Sequence, residues 1–360
     1  GGFAGEPEIE LTPTGEEHLG AAASLLGCEA AALRGALTSR TIAAGAELCV
    51  LSKTLAQAEA SRDALAKAIY ERLFDAIVEA LNGALATVPR GGGGGGPDDV
   101  ANSIGILDIF GSEVFDTNGF EQLLINYANE KLQAHFTATA IGLLQAEYVA
   151  QGIDMVPVDY KNNAETVRLL EGRPMSVLAT LDDQCLQAGA TDESLVTALH
   201  ASFEKHDSYS KPRVGQSTAF EIRHFGGTVR YEAWGFLVKN KDTLFAELPA
   251  TMRNSKLPFV VELFKEAKPA AAAMTSDSSA RGRRGGARPR ATRFVSVGAQ
   301  FRDSISSLVA ILESTESHFV RCVKPNERRV AFELDYGTAL IQLRSCAVLE
   351  AVRVSQAGFP

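Results

Sequence analysis

SIGILDIFGSEVFDTNGFEQLLINYANEKLQAHFTATAIGLLQAEY, residues 103–148, opens on an apolar run, residues 104–107, that follows Asn102 and Ser103. Such a run reads as a strand covered on both faces, which would deliver Asp108 to its carboxyl end. Gly111 comes next; lacking a side chain, it lets a main-chain N–H approach an anion, and Glu113 sets a carboxylate two residues further on. In an open α/β sheet this is the place for a nucleotide-contacting loop. Asn118, with Glu121 three residues later, has capping-box spacing for a helix. Phe120, Leu123, Leu124, Tyr127, Leu132 and Phe136 then keep helical spacing, so one face is apolar. Unbroken as far as Tyr148, the helix would be roughly 45 Å long. A candidate phosphate-sensing loop and a rigid rod are thus covalently adjacent, an arrangement that converts a change at one ligand into displacement at a distance.

Within this stretch, DIFGSEVFDTNGFEQLLINYANEKLQ resembles the switch II loop and relay helix of the myosin motor domain, whose pattern is approximately DIxGFExFxxNSFEQLxINYxNEKLQ. Ser112 replaces the family's phenylalanine, which removes an aromatic wedge beside the loop. The resemblance implies an α/β chain: a partial P-loop NTPase-like motor, mostly helical, with strands of an incomplete central sheet. It also implies roles. Asp108 would lie beside a magnesium ion, through a water molecule, and the Gly111 N–H would donate to the γ-phosphate of ATP. Glu113 would pair with a switch I arginine and help to position the attacking water.

Composition bounds the rest. A chain of 360 residues that is 46% hydrophobic can bury a sizeable core as one large or two ordinary domains, which excludes a disordered protein. Cys28, Cys49, Cys185, Cys322 and Cys346 are scattered and without CxxC spacing, so they read as reduced thiols of a cytoplasmic protein rather than a disulfide frame or zinc site. No apolar stretch reaches membrane-spanning length and no signal peptide opens the chain. The net charge of −9 is ordinary, yet residues 281–293 carry six arginines and no acid. The start at Gly1 and the stop at Pro360, just after a helical pattern, read as a piece cut from a longer product.

Residues 1–20 are polar with little periodicity, and residues 21–37 read as one short helix rich in alanine and leucine. After a charged connector with Arg40, Gly45 and Glu47, residues 54–85 place Leu65, Ile69, Leu73 and Ile77 at four-residue steps, a helical core pattern. DALAKAIYERLFDAIV within it resembles the myosin helix that precedes switch II. By the family's counting rule, the residue sixteen before Asp63 lies in an actin-contacting loop and must be acidic or phosphorylatable; here it is Glu47. The run Gly91–Gly96 is not followed by GK[ST] and reads as a flexible linker rather than a phosphate loop.

Beyond the rod, residues 152–200 alternate short helices and turns, with Asp182, Asp183, Thr191, Asp192 and Glu193 expected at the surface. GATDESLVTAL resembles the segment leading into the lower actin-binding subdomain, and Met155 stands where many relatives have a relay-loop tryptophan. TAFEIRHFGGTVRY, residues 218–231, shifts to a period of two around Gly226 and Gly227, which predicts a hairpin. HFGGTVRYEAWGFLVKNKDTL follows the family's HFAGxVxYxxxGFLxKNKD pattern. His224 has no nucleophile or metal-spaced partner nearby in sequence and reads as structural.

Residues 269–293 are low in complexity, either an RGG-like nucleic-acid tail or the basic loop with which myosins meet actin, and motif-bearing sequence on both sides favours the second, with Arg281, Arg283 and Arg284 as contacts. Downstream, Phe301, Ile305, Leu308, Val309 and Leu312 form a helical stripe, and HFVRCV is a β-rich run ended by Lys324 and Pro325. This segment resembles QFxxxLxxLxxxLxxTxPHFVRCIKPNE, with Glu316 and Ser317 replacing the residues before the histidine. The implied actin-binding region, residues 305–327, adds Ser306, Ser307, Ala310, Ile311, Glu313, Ser314 and Thr315 to that stripe. It continues through His318, Phe319, Val320, Arg321, Cys322 and Val323 to Asn326 and Glu327. LIQLRSCAVLEAVRVSQAGFP resembles the reactive-thiol helices: Cys346 is one place from the usual first thiol, Ser355 replaces the second, and Ala347 stands at a hinge glycine, while Gly358 is retained.

The resemblance divides the chain into six parts. Residues 1–100 belong to the upper actin-binding subdomain and 101–153 to switch II and the relay helix. Residues 154–268 form the lower actin-binding subdomain and 269–293 the basic loop 2. Residues 294–327 supply the actin-binding helix and a central-sheet strand, and 328–360 the thiol helices at the converter entrance. No GxxxxGK[ST] and no NxxSSRFGK occurs in the 360 residues, so the implied ATP and Mg2+ site is complete only in a longer protein. The implied partners are actin filaments, with light chains or calmodulin on a neck outside this chain, in the cytoplasmic actin cytoskeleton; nucleic acid is disfavoured. The competing reading is a non-catalytic actin- or RNA-binding protein on a degenerate motor fold, prompted by Ser112, Ala347 and RGRRGG.

Overall fold

Helices built by tertiary packing of one apolar face, joined by caps and two small antiparallel sheets, make up the computed structural model, which describes residues 9–44, 47–86, 104–153, 162–212, 218–241, 244–265 and 295–358. In chain order, α1 is Pro13–Leu26, α2 Ala30–Thr38, β1 Ser39–Ala44, β2 Glu47–Ser52 and α3 Leu55–Ala86. Then come α4 Phe120–Phe136, a π-type turn Thr137–Leu143, α5 Leu144–Ala150, α6 Ala164–Glu171, α7 Val177–Leu186 and α8 Asp192–Phe203. Strands β3 Tyr209–Ser210, β4 Ala219–Arg223 and β5 Thr228–Glu232 precede α9 Phe236–Lys241, α10 Glu247–Arg253, α11 Pro258–Leu263, α12 Val297–Glu313, α13 Tyr336–Ser345 and α14 Val348–Gly358. The chain divides into two units, Gly1–Ile104 with Thr243–Arg290, and Gly105–Asp242 with Ala291–Pro360.

In the first unit, the single helix expected over residues 21–37 is two. α1 starts earlier, at Pro13, because the Thr12 hydroxyl accepts the Gly15 N–H at 3.1 Å, and it stops at Gly27, whose φ of 65° is left-handed. A Cβ there would stand 2.7 Å from the Leu257 side chain, so glycine also permits the close approach of the segment before α11. β1 and β2 pair antiparallel from Ser39 opposite Ser52 to Ala44 opposite Glu47, an unforeseen hairpin in the charged connector. Behind it, buried Lys53 donates to the Ala36 carbonyl at 2.8 Å and lies over the Phe245 ring. Leu19, Leu33, Leu65, Leu248, Met252 and Phe264 share this unit's core. The expected α3 stripe is buried only near Leu65; Ile69 and Leu73 are half-buried and Ile77 is exposed, as are Phe74, Leu81 and Leu85.

The second unit is centred on α4 and the three-stranded sheet, ordered β3-β4-β5. Tyr209, Phe220 and Tyr231 stack across the three strands, with centroids 6.2 and 5.5 Å apart, and Phe236 meets Phe220 edge-on. The predicted hairpin forms at the expected glycines, with Gly227 at φ 145°, an angle only glycine takes freely. The rod is present: α4, the π-type turn and α5 follow one another without a gap from Phe120 to Ala150. The widened turn packs Ile141 against Phe136, Phe225, Ala347 and Val354, the core where the α13–α14 corner meets the rod.

Two strands expected from the sequence are absent. Residues 104–107 join no ladder, and Ile104 and Ile106 are more than nine-tenths exposed. The run HFVRCV likewise pairs with nothing, although Phe319 packs its ring edge-on to Phe136 at 4.9 Å. A strand needs a neighbour for its N–H and C=O groups, and among the described residues none lies alongside either run. The capping residue also differs: α4 begins at Phe120 with Gly119 before it, and it is the Gln122 side chain that reaches back to the Gly119 N–H at 3.0 Å. Among the described residues no helix is long and apolar enough to cross a membrane.

Candidate functional site

The loop of residues 108–116 is held by three asparagines, Asn126 and Asn129 on α4 and Asn118 just before it. Asn126, buried on the first turns of α4, accepts the Glu113 N–H on Oδ1 at 2.8 Å and donates Nδ2 to the Glu113 carbonyl at 2.8 Å. Asn118 closes the following turn, accepting from the Phe115 N–H at 2.8 Å and donating to the Phe115 carbonyl at 2.9 Å, while a further bond at 3.0 Å reaches the Arg230 carbonyl on β5. Asn129 donates to the Phe110 carbonyl at 3.2 Å. The loop therefore rides on the start of the rod by main-chain bonds that no side-chain substitution within the loop removes.

What the loop presents outward is chemically spare. Asp108, Gly111 and Ser112 are exposed, and nothing lies within 4 Å of where a Cβ on Gly111 would stand, so an anion has room to approach its main chain. Glu113 is half-buried, and one carboxylate oxygen accepts from Gln122 Nε2 at 3.3 Å.

Behind the loop a polar chain runs through the core. Asn126 Nδ2 also donates to the Tyr231 hydroxyl at 2.9 Å, which meets His224 Nε2 at 2.8 Å; His224 Nδ1 faces Glu130 Oε1 at 3.2 Å. Glu130 additionally accepts the Phe225 N–H and Asn163 Nδ2, each at 2.6 Å, so its buried charge is surrounded by donors. Burial raises the Tyr231 pKa, so the phenol keeps its proton. His224, read from the sequence as structural, is tied to partners 94 and 7 residues away that were not foreseen. The readable signal was Asn126 and Glu130, four apart on the buried side of α4.

The candidate actin-binding residues occupy α12 and the extended segment after it. Ile305 is buried; Leu308, Val309 and Leu312 are half-buried; Ser306, Ser307, Ala310, Ile311 and Glu313 are exposed, as are Val320 and Cys322. Asn240, fully buried on α9, accepts the Gly298 N–H on Oδ1 at 2.8 Å and donates to Asp182 Oδ1 at 3.0 Å, which fixes the first turn of α12 against α7. Asp182 and Asp192, expected at the surface, are half-buried for this reason, Asp192 Oδ2 accepting the Gly235 N–H at 2.7 Å. Asp183, Thr191 and Glu193 are exposed. Glu47 starts β2, but its side chain lies outside the described residues, as do Gly91–Gly96, Met155, Arg281, Arg283 and Arg284.

A family model described as Myosin head (motor domain) matches residues 5–360. Over 353 residues the chain is 37% identical to unconventional myosin-Vb of Mus musculus, covering 96% of this chain and 19% of that protein. It is 36% identical over 363 residues to unconventional myosin-Vc of Homo sapiens and 37% identical over 344 residues to Myosin-11 of Arabidopsis thaliana, covering 98% and 95% of this chain. The chain spans about a fifth of the length of these curated relatives. The loop clamped onto a long helix, the HFGGTVRY hairpin beneath it and the α12 segment are matched together, in order, and the chain belongs to the myosin motor-domain family.

Proposed function

We propose that this chain is the part of an ATP-driven actin motor that links the state of a bound nucleotide to the rod and to the filament-gripping surface. One observation carries the reading: Asn126, on the rod itself, holds both main-chain polar groups of Glu113, so the loop and the helix shift as one piece. ATP with magnesium supplies the phosphoryl chemistry when bound. Of this chain's residues, Asp108 would stand by the metal through water, and the Gly111 N–H would donate to the terminal phosphate. The open space at Gly111 and the exposure of Asp108 fit those positions. Glu113 would pair with an arginine from outside this chain and orient the attacking water, Gln122 holding its other side.

Residues 305–327, Glu47 and the arginines 281, 283 and 284 are the proposed actin contacts. The exposed arginine share should weaken with salt, because such charges act over about 8 Å at physiological ionic strength. Light chains or calmodulin on a neck, and a place in the cytoplasmic actin cytoskeleton, belong to the same proposal. The test is co-sedimentation with actin filaments of a protein extended to the length of the relatives. Binding that ATP releases is the expected result; binding indifferent to ATP, or a preference for RNA, contradicts it.

A further inference from the structure

The polar chain behind the loop has a direction that its first member dictates. A main-chain N–H can only donate, so the Glu113 N–H fixes Asn126 with Oδ1 toward it and Nδ2 toward the Tyr231 hydroxyl. The phenol oxygen accepts that bond and keeps its own proton, since burial raises its pKa. That proton is donated to His224 Nε2, 2.8 Å away, and the ring must then carry its hydrogen on Nδ1, where Glu130 Oε1 accepts it at 3.2 Å. Tyr231 is fully buried and His224 is 4% exposed, so water does not replace either bond.

We propose that His224 is a proton-operated positioning residue, and that Asn126 keeps its hold on the Glu113 main chain only while His224 Nε2 is free to accept from Tyr231. A second proton, taken from solvent onto Nε2, turns that atom into a donor. The phenolic hydrogen then loses its acceptor, because the other group at its oxygen, Asn126 Nδ2, is a donor as well. Turning the Asn126 amide over would restore an acceptor for Tyr231, yet it would set Nδ2 against the Glu113 N–H and break the clamp. The titratable groups set against the ring are Glu130 from α4 and Tyr231 from β5; Asn163, preceding α6, and the Phe225 N–H bring only neutral donors to Glu130. Glu130 would welcome the charged ring, so the opposition comes from the Tyr231 side alone.

The consequence for the motor rests on the function proposed above, but the device itself is read without nucleotide, so either can fail alone. Nitrogen NMR of the full chain with labelled histidine, the His224 signals identified by their proximity to the Tyr231 ring, is expected to show the Nδ1–H tautomer. Acidification through the ring's titration should lower hydrogen-exchange protection of the Glu113 N–H about tenfold with the same midpoint, while the Leu123 and Tyr127 amides keep theirs. In Tyr231→Phe, which has no phenolic hydrogen to strand, the Glu113 protection should no longer respond to pH. An Nε2–H tautomer overturns the proposal, and so does Glu113 protection that stays level across the titration or falls together with that of Leu123 and Tyr127.

Discussion

Asn126 holds Glu113 by both of its main-chain polar groups, with 2.8 Å on each side. The carboxylate that faces the proposed phosphate and the helix proposed to carry the stroke are therefore joined by a two-point clamp, buried on the helix side. Replacing Asn126 by Leu leaves the Glu113 N–H and carbonyl without their partner and deprives Tyr231 of a donor. At roughly 1–3 kcal/mol for a stranded buried group, the variant should lose about 3 kcal/mol of stability in urea unfolding. A loss below about 1 kcal/mol would mean that water serves the loop equally well.

Glu130 is the other end of the same chain, 3% exposed and receiving three protein donors on its carboxylate. Glu130→Gln keeps the shape but turns one acceptor oxygen into a donor facing donors. The expected cost is about 3 kcal/mol, in the range for breaking a buried charged network from one side, measured as a shift in the urea midpoint. An unchanged midpoint contradicts the assignment of these bonds.

His200 supplies a pH test elsewhere in the same unit. Its burial, with the Lys211 charge second and Glu204 opposing, lowers its pKa from the ordinary 6.5, while Nδ1 meets the Tyr209 hydroxyl at 2.8 Å. A depressed folded pKa means the unfolded chain protonates first. The contribution is whole above pH 6.5 and is lost as pH falls through that value toward the folded pKa. Urea midpoints measured from about pH 7 to about pH 5 should fall more steeply in the parent than in His200→Asn; parallel curves would contradict this.

The sequence disclosed the rod, the hairpin and the α12 stripe because each is written as local periodicity or turn chemistry. Gly111 and Glu113 were singled out through the family pattern that covers them. Asn126, Glu130, Tyr231 and His224 stayed hidden as a set, since polar residues inside a helix or strand reveal partners only once α4 and β5 are packed together. The expected strands at residues 104–107 and at HFVRCV failed for a related reason. A β-rich run states a readiness to pair, and pairing depends on a neighbour that the run does not encode. The break at Gly27 was missed because alanine and leucine on both sides suggested one helix, whereas the Leu257 and Ser255 contacts that favour glycine there come from far along the chain.

Ala347 stands at the α13–α14 corner with φ 54°, buried against the core around the π-type turn. The left-handed angle costs an alanine about 1 kcal/mol, which Ala347→Gly would relieve, but the buried methyl lost is worth about 0.8 kcal/mol. The glycine variant should therefore stay within about 1 kcal/mol of the parent, whereas Ala347→Val, branched at Cβ, should lose more than about 2 kcal/mol. A valine variant as stable as the parent would show that the corner has another conformation open to it.

In the proposed motor a phosphate-contacting loop is clamped to a force-bearing rod, and Glu113 is the residue at which the clamp and the chemistry meet. Single-turnover measurements on a protein extended to the length of the relatives should show that Glu113→Ala binds ATP measurably while hydrolysis nearly disappears. Hydrolysis at the parent's rate in Glu113→Ala would contradict the account.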